Sequence, residues 1–405
     1  MTPTQLGAAF VFGLTFLLLA LGRLGRLPIP RGISALAGGA ATAALLGLWR
    51  DPLHVVDFQV IFLLAGLMVL AGLGEIGGLF AGLRRALMRC NPGVALWLSL
   101  AVVGLASALL LNDAAVVVLV PFLVPALRAL GLEPVPVVVL MAVAANAGSL
   151  LTPFGNPQNT ILASHAGLGI LDFLRAQWPV VALAFASLAI ASWRLGRRAN
   201  LDHATPPPAP TVPGSRPLLI ACVGLFLALA AFGGRWRIGL GTAALVAAAV
   251  AILALRPRLG RAVDRAAWRA LDWNVLSLFV GLYFLTAGLP SWFPSDRLPL
   301  ASLDSPLKAV VGTSILSNLV GNVPATLVFA NLDAAWTRLH AMFLVTVTTL
   351  GGALLLTGSA ASLLAADRAR HVGVEVRFWP FLKNAVPWVL PALAVGAVLT
   401  WNGGP

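Results

Sequence analysis

The sequence predicts an all-α polytopic membrane protein built as two inverted repeats, each with about five transmembrane helices plus a re-entrant hairpin, with two broken helices. Three observations predict it. The 405-residue chain is 59% hydrophobic and 10% charged, against roughly 45–50% and 25% in soluble domains. Apolar runs long enough to cross a bilayer recur along its whole length. Four apolar stretches are interrupted at their centres by polar residues, in the same order in each half.

The first spans are expected at about 5–22, 32–49 and 57–73. No Lys or Arg precedes the first apolar run and no small-x-small cleavage site follows it, so Gln5–Leu21 reads as a span and not as a signal peptide. A hairpin follows at about 94–130, with Asn112-Asp113 at its kink. A broken helix at about 137–166 is interrupted from Thr152 to Asn159, and a span at 178–195 closes the first repeat, residues 1–195. Residues 196–216 form a polar linker on the cytoplasmic side, marked by Thr205-Pro206-Pro207-Pro208-Ala209-Pro210. The second repeat, 217–405, has spans at 217–233, 238–255 and 272–289. Its hairpin lies at about 306–330, its broken helix at about 341–366 and its last span at 380–400. Each hairpin stretch is also long enough to be a pair of full spans, and length alone leaves that alternative open.

The repeat rests on three blocks. Asp57-Phe58-Gln59-Val60 recurs as Asp272-Trp273-Asn274-Val275, an offset of 215. The hairpin tips align at 210, pairing Ser107 with Ser317 and Asn112 with Asn322. The broken helices align at 203, pairing Gly148 with Gly351 and Gly155 with Gly358, so that Asn156 and Asn159 face Ser359 and Ser362. An odd number of spans per half turns the second copy upside down.

Charge orients the chain. Only Arg50, Arg175, Arg235, Arg237, Arg297, Lys308 and Arg338 fall in loops on one face; the other 20 of the 27 Lys and Arg fall in loops on the opposite face. The richer face is cytoplasmic by the positive-inside rule, which points both termini outward from a cell (inner) membrane. The formal charge of +13 is therefore topogenic, and a nucleic-acid partner is excluded because the basic residues form no patch interleaved with aromatics. Cys90 and Cys222 match no metal-ligand spacing, and no disulfide is expected.

The polar breaks are where chemistry is expected. A helix that begins inside the membrane presents free N–H groups and a partial positive charge, which suit an anion. Freed carbonyls and carboxamide oxygens suit a small cation. Glycine lets the backbone come close, and proline holds a break open. The candidate residues are Asn112 and Asp113 in the first hairpin, and Thr152, Gly155, Asn156, Gln158 and Asn159 in the first broken helix. The second half offers Ser317, Asn318, Asn322 and Pro324, then Thr357, Gly358, Ser359 and Ser362. A Na⁺ ion is expected near Asn112, Asn156 and Asn322. Asp113 is the one acid between Val94 and Val124. An intramembrane charge costs roughly 2.5–3.5 kcal/mol on insertion scales, so Asp113 is read as the coupling residue, a proton carrier or cation ligand. The alternative is that it caps the second leg of the hairpin. Asp57 and Asp272 start equivalent helices and are read as structural. Glu75 and His165 are read as interfacial, and the tryptophans as interfacial anchors. There is no P-loop, dinucleotide fingerprint, HExxH or nucleophile elbow, so no enzyme and no cofactor is expected, with Na⁺ or H⁺ as coupling ion.

Gly148-Ser149-Leu150-Leu151-Thr152-Pro153-Phe154-Gly155-Asn156-Pro157-Gln158-Asn159, with Leu111-Asn112-Asp113-Ala114-Ala115 before it and Leu316-Ser317-Asn318-Leu319-Val320-Gly321-Asn322-Val323-Pro324-Ala325 after it, resembles the ion transporter superfamily. That group holds divalent anion:sodium symporters, citrate-transporter-like permeases and arsenite efflux permeases; the chain looks most like its poorly characterised bacterial anion permeases. The resemblance spans nearly the whole chain. It implies substrate and cation contacts at Asn112, Thr152, Gly155, Asn156, Asn159, Ser317, Asn318, Asn322, Thr357, Gly358 and Ser359. It also implies a homodimer and an elevator-like movement of the hairpin-bearing part. Dicarboxylate symporters carry Ser-Asn-Thr at both hairpin tips, where this chain has Leu-Asn-Asp and Ser-Asn-Leu. The expected function is secondary active transport of a small inorganic or carboxylate anion by alternating access, coupled to Na⁺ or H⁺. The alternatives are proton-coupled arsenite or antimonite efflux and a passive anion channel.

Overall fold

The computed structural model describes all residues except 1, 22, 25–26, 80, 201–214, 233–237, 289–305, 324, 327–337 and 402–405. Most of the Pro-rich linker, Pro324 and the end of the second hairpin stretch thus lie outside the described residues, as does the side chain of His165. The described chain is helical apart from a two-residue antiparallel ladder of Arg23–Leu24 with Leu27–Pro28. Its helices are α1 (Pro3–Leu21), α2 (Arg31–Leu46), α3 (Pro52–Val55), α4 (Phe58–Ile76), α5 (Ala81–Leu87), α6 (Pro92–Leu109), α7 (Asn112–Arg128), α8 (Pro134–Ser149), α9 (Pro157–Ala166) and α10 (Ile170–Gly196). The second half supplies α11 (Ser215–Phe232), α12 (Leu240–Leu259), α13 (Arg261–Ala270), α14 (Trp273–Ala287), α15 (Pro306–Val320), α16 (Arg338–Gly352), α17 (Ala360–Arg370) and α18 (Phe378–Thr400). Among them α4, α6, α10, α12, α18 and the stretch Arg261–Ala287, interrupted at Leu271–Asp272, are long and apolar enough to cross a membrane.

The ends of these helices follow local chemistry. Asp57 caps α4, its Oδ1 accepting from Gln59 N at 2.9 Å, and Asp272 Oδ1 accepts from Asn274 N and Val275 N at 3.0 and 3.2 Å. These two carboxylates, read from the sequence as structural, act as helix caps. Asn91 caps α6 and Asn156 caps α9, each with proline next in line, where its missing N–H costs nothing. Glu75 is exposed at the end of α4. Cys90 and Cys222 are free.

The chain forms two compact units, and neither coincides with a sequence half. One gathers residues 1–29, 91–204 and 285–405; the other gathers 30–90 and 205–284. The first therefore holds both hairpin stretches and both broken helices. At its centre α8 is buried on every side from Pro136 to Ser149, with α6, α7, α10, α17 and α18 packed around it. A helix apolar all round belongs in such a core. In the second unit α4 packs on α12 and α13. Small residues set its distances: a Cβ on Gly39 would strike the backbone of Gly281, and one on Gly66 the backbone of Ala244.

Three stretches of charge assigned to loops are helical, the shortest being α5 with Arg84 and Arg85. Residues 256–269 contain α13, which buries Val263 and Ala267 while Arg261, Arg265, Trp268 and Arg269 stay exposed. An amphipathic strip of ten residues is too polar to register as a span, and its period-3.6 pattern is short. Helix α17 runs on through Arg370, and Arg368 Nε donates to Val117 O of α7 at 3.2 Å.

Candidate functional site

The breaks fall inside the stretches named from the sequence. In the first half, α6 and α7 meet at Leu110–Leu111, and α8 and α9 are separated by residues 150–156. In the second half, α15 ends before Gly321 (φ 91), and α16 and α17 are separated by residues 353–359. Each hairpin tip is tied to its broken helix by the same bond. Asn112 N donates to Gly155 O at 2.8 Å, and Asn322 N donates to Gly358 O at 3.1 Å. Both acceptors are glycines because nothing larger fits. A Cβ on Gly155 would collide with the Ser149 backbone, and one on Gly358 with Gly352 O and Asn318 Oδ1.

Side chains lock each break further. Asn156 Oδ1 accepts from Asn159 N at 3.1 Å, and Asn159 Nδ2 donates to Ser149 O and Thr152 O at 2.8 and 2.9 Å. Thr152 Oγ1 donates to Ala108 O on the hairpin. In the second half Ser317 Oγ donates to Thr348 O at 2.8 Å, and Asn318 Nδ2 donates to Ser314 O and Gly351 O at 2.8 and 2.7 Å. Asn322 Oδ1 accepts from Val323 N at 3.2 Å. Thr357 and Ser362 are buried in and after the second break.

Two residues absent from the sequence expectation join the breaks to each other. Asn146, on α8, accepts at Oδ1 from Ser359 Oγ at 2.9 Å and from Asn112 Nδ2 at 3.3 Å. Thr349, on α16, accepts at Oγ1 from Gln158 Nε2 at 3.0 Å and from Asn156 Nδ2 at 3.4 Å. Thr349 stands 203 positions after Asn146, and Ser359 stands 203 after Asn156. The two bonds are thus reciprocal: position A of one half meets position B of the other, and the reverse. A twofold relation between two copies produces such an isologous pair. Both residues are fully buried. The signal that marks them in the sequence is a lone Asn in an apolar helix and its counterpart at the repeat offset.

Asp113 does not cap α7. Leu111 occupies the cap position without a side-chain bond, and Asn112 Oδ1 takes the N–H of Asp113 at 2.9 Å. Asp113 sits in the first turn of α7, 3% exposed, and its Oδ1 has no hydrogen-bond partner among the described residues. Gln158 Oε1, Asn159 Oδ1, Asn318 Oδ1 and Ser362 Oγ are likewise buried and unpartnered there. Buried acceptors without donors are rare and call for an explanation. Each of these is an oxygen, the atom type that a hard cation takes as ligand. The first turn of α7 and the start of α17 are joined through Asn112, Asn146 and Ser359, and the start of α9 joins them through Ser149, whose Oγ accepts from Asn156 Nδ2 at 2.9 Å and donates to Asn146 O at 2.7 Å, so three helix N-termini belong to one hydrogen-bonded assembly. That assembly offers positive ends for an anion beside oxygens for a cation.

Comparisons with known proteins agree with this architecture. A family profile described as citrate transporter matches residues 16–339. The inner membrane protein YbiR of Escherichia coli (strain K12) is 29% identical over 351 residues, covering 85% of this chain and 88% of YbiR. The silicon efflux transporter LSI3 of Oryza sativa subsp. japonica is 25% identical over 473 residues, covering 98% of each chain. The crystal structure of the YdaH transporter of Alcanivorax borkumensis matches with a TM-score of 0.50 at 16% identity over 98% of each chain, a likeness of fold.

Proposed function

The chain belongs to the citrate transporter family and is a membrane transporter, and from that premise we propose that it moves a small anion across the inner membrane by coupled alternating access. The observation that carries this reading is Asp113: a buried acid, one oxygen unpartnered among the described residues, in the first turn of α7 beside the α6–α7 break. A carboxyl group at that depth balances its charge with a proton or a small cation. Binding the coupling ion there, next to three helix N-termini, supports binding of an anion in the same assembly.

The carboxamide oxygens expected to hold Na⁺, those of Asn112, Asn156 and Asn322, each accept a backbone N–H, so Na⁺ is the coupling ion where unpartnered oxygens such as Gln158 Oε1 and Asn159 Oδ1 join Asp113 in its shell, and H⁺ is the coupling ion where Asp113 acts alone. The division of the chain into one unit with the hairpins and broken helices and another without them supports an elevator-like movement of the first. The working form is a homodimer, and no covalent chemistry is assigned to the site. A second reading is proton-coupled export of a small uncharged oxyacid such as arsenite. It is favoured by the relative named for silicon efflux and by the single carboxylate.

The test is uptake into proteoliposomes of citrate, succinate, sulfate, phosphate, arsenite and silicic acid under an imposed Na⁺ or H⁺ gradient. Accumulation driven by one gradient supports coupled transport and names the substrate. Equilibrating flux indifferent to both gradients overturns it in favour of a passive channel.

A further inference from the structure

The hairpin leg α6 and the end of α10 enclose a cavity of about 510 Å³ that takes no part in the site described above. It is lined by Val94 and Trp97 of α6 and by Ala189, Trp193 and Gly196 of α10, with Arg197 at its rim. Its floor is a contact between glycines: a Cβ on Gly196 would run into the backbone of Gly93. Because neither helix carries a side chain at the crossing, the two approach there, and the large side chains beyond it leave a slot. Arg197 stands over the Trp193 ring at 5.1 Å from its centroid, and Arg194 over Trp388 at 5.6 Å.

The charge at this slot is uncompensated. Arg194, Arg197 and Arg198 are all exposed, and none forms an ion pair among the described residues. They lie on the face that the positive-inside count makes cytoplasmic, where the leaflet surface is negative. An apolar slot floored by glycine, walled by Trp97 and Trp193 and rimmed by Arg197, with Arg194 and Arg198 next to it in the chain, suits a molecule with an apolar chain and an anionic head. Tryptophan seats at headgroup level, with its ring toward the chains and its N–H toward water. Arginine binds phosphate with its planar fork and stacks on aromatic faces.

We propose that this groove is a binding site for one anionic phospholipid, its acyl chain lying between Trp97 and Ala189 and its phosphodiester on Arg197. Binding there tethers α6, the first leg of the hairpin that carries Asn112 and Asp113, to the end of α10.

The test is native mass spectrometry of the purified full-length protein with phosphatidylglycerol or phosphatidylcholine of matched chains. Wild type retains phosphatidylglycerol at least about fivefold over phosphatidylcholine, the size of one arginine's surface contribution. R197A loses that preference, R197K keeps part of it, and A189F, which fills the slot, loses retention of both lipids. Unchanged thermal midpoints in phosphatidylcholine nanodiscs establish that the variants are folded. Equal retention of the two lipids by wild type overturns the proposal, as does an R197A protein that still prefers phosphatidylglycerol. Displacement of phosphatidylglycerol by millimolar inorganic phosphate also overturns it, because the site then reads a free anion and not a lipid.

Discussion

Asp113 and Asn112 divide two tasks that adjoining residues of a helix start usually share. Asn112 satisfies the backbone: its N–H goes to Gly155 O, and its Oδ1 takes the next N–H. Asp113 is then free of capping duty, and its carboxylate keeps one buried oxygen without a partner among the described residues. D113N is isosteric and leaves the Asn112 bonds in place, so the protein is expected to fold and purify normally while gradient-driven uptake falls to background. A variant with wild-type accumulation under the same gradient would reduce Asp113 to a passive core residue. Asn146 belongs to the same scale. N146L leaves the Asn112 amide and the Ser359 hydroxyl without their acceptor, and each buried orphan costs about 1–3 kcal/mol. A lowered thermal midpoint and loss of uptake are expected. The double exchange N146T/T349N tests the twofold relation: it places each side chain at its repeat equivalent, and it is expected to recover activity relative to either single variant.

At the level of elements, the site is assembled by helices that stop and by glycines that let them meet. Helix α8 ends at Ser149 and α9 begins at Pro157, and the residues between them serve the hairpin tip instead of a helical ladder. Gly148 touches Gly104 so closely that a Cβ on Gly148 would enter the backbone of α6. G148V is therefore expected to push the hairpin leg off α8, lowering expression and thermal midpoint more than substitution at half-buried Gly47, where no atom stands in the way. Gly47 itself has φ 71, so the comparison uses G47N, which tolerates that conformation. Helix α13 shows the opposite case, in which a charged strip becomes an element. Val263 and Ala267 face the protein and Trp268 faces out, as expected of a helix lying at an interface.

For the whole molecule, the useful partition is spatial and not sequential. Each compact unit draws on both halves of the chain. All four polar breaks fall in one unit, which leaves the other as an apolar frame held by small-residue crossings such as Gly39 on Gly281 and Gly66 on Ala244. Charge governs orientation at this scale. If the sequence count that assigns 20 of 27 basic residues to one face holds, a single cysteine introduced at Thr2 in a background without Cys90 and Cys222 is expected to react with a membrane-impermeant maleimide in intact cells. Labelling only after lysis would reverse the assignment of both termini.

The sequence by itself determined the helical class, the positions of the four breaks and most of the polar residues in them. Those signals are local: hydropathy marks a span, and a run such as Thr-Pro-Phe-Gly-Asn-Pro-Gln-Asn inside one carries its own reason to unwind. It also marked Asp57 and Asp272 as structural residues at helix starts, and the capping bonds they make are to residues two or three positions away. Only the tertiary structure decided what the breaks touch. That Asn146 reaches Ser359 and Thr349 reaches Asn156 depends on segments about two hundred residues apart in the chain packing side by side. No hydropathy window records such packing. The same holds for Asp113: composition marked it as costly, but its freedom from capping and its unpartnered oxygen emerged from the hairpin's docking onto Gly155.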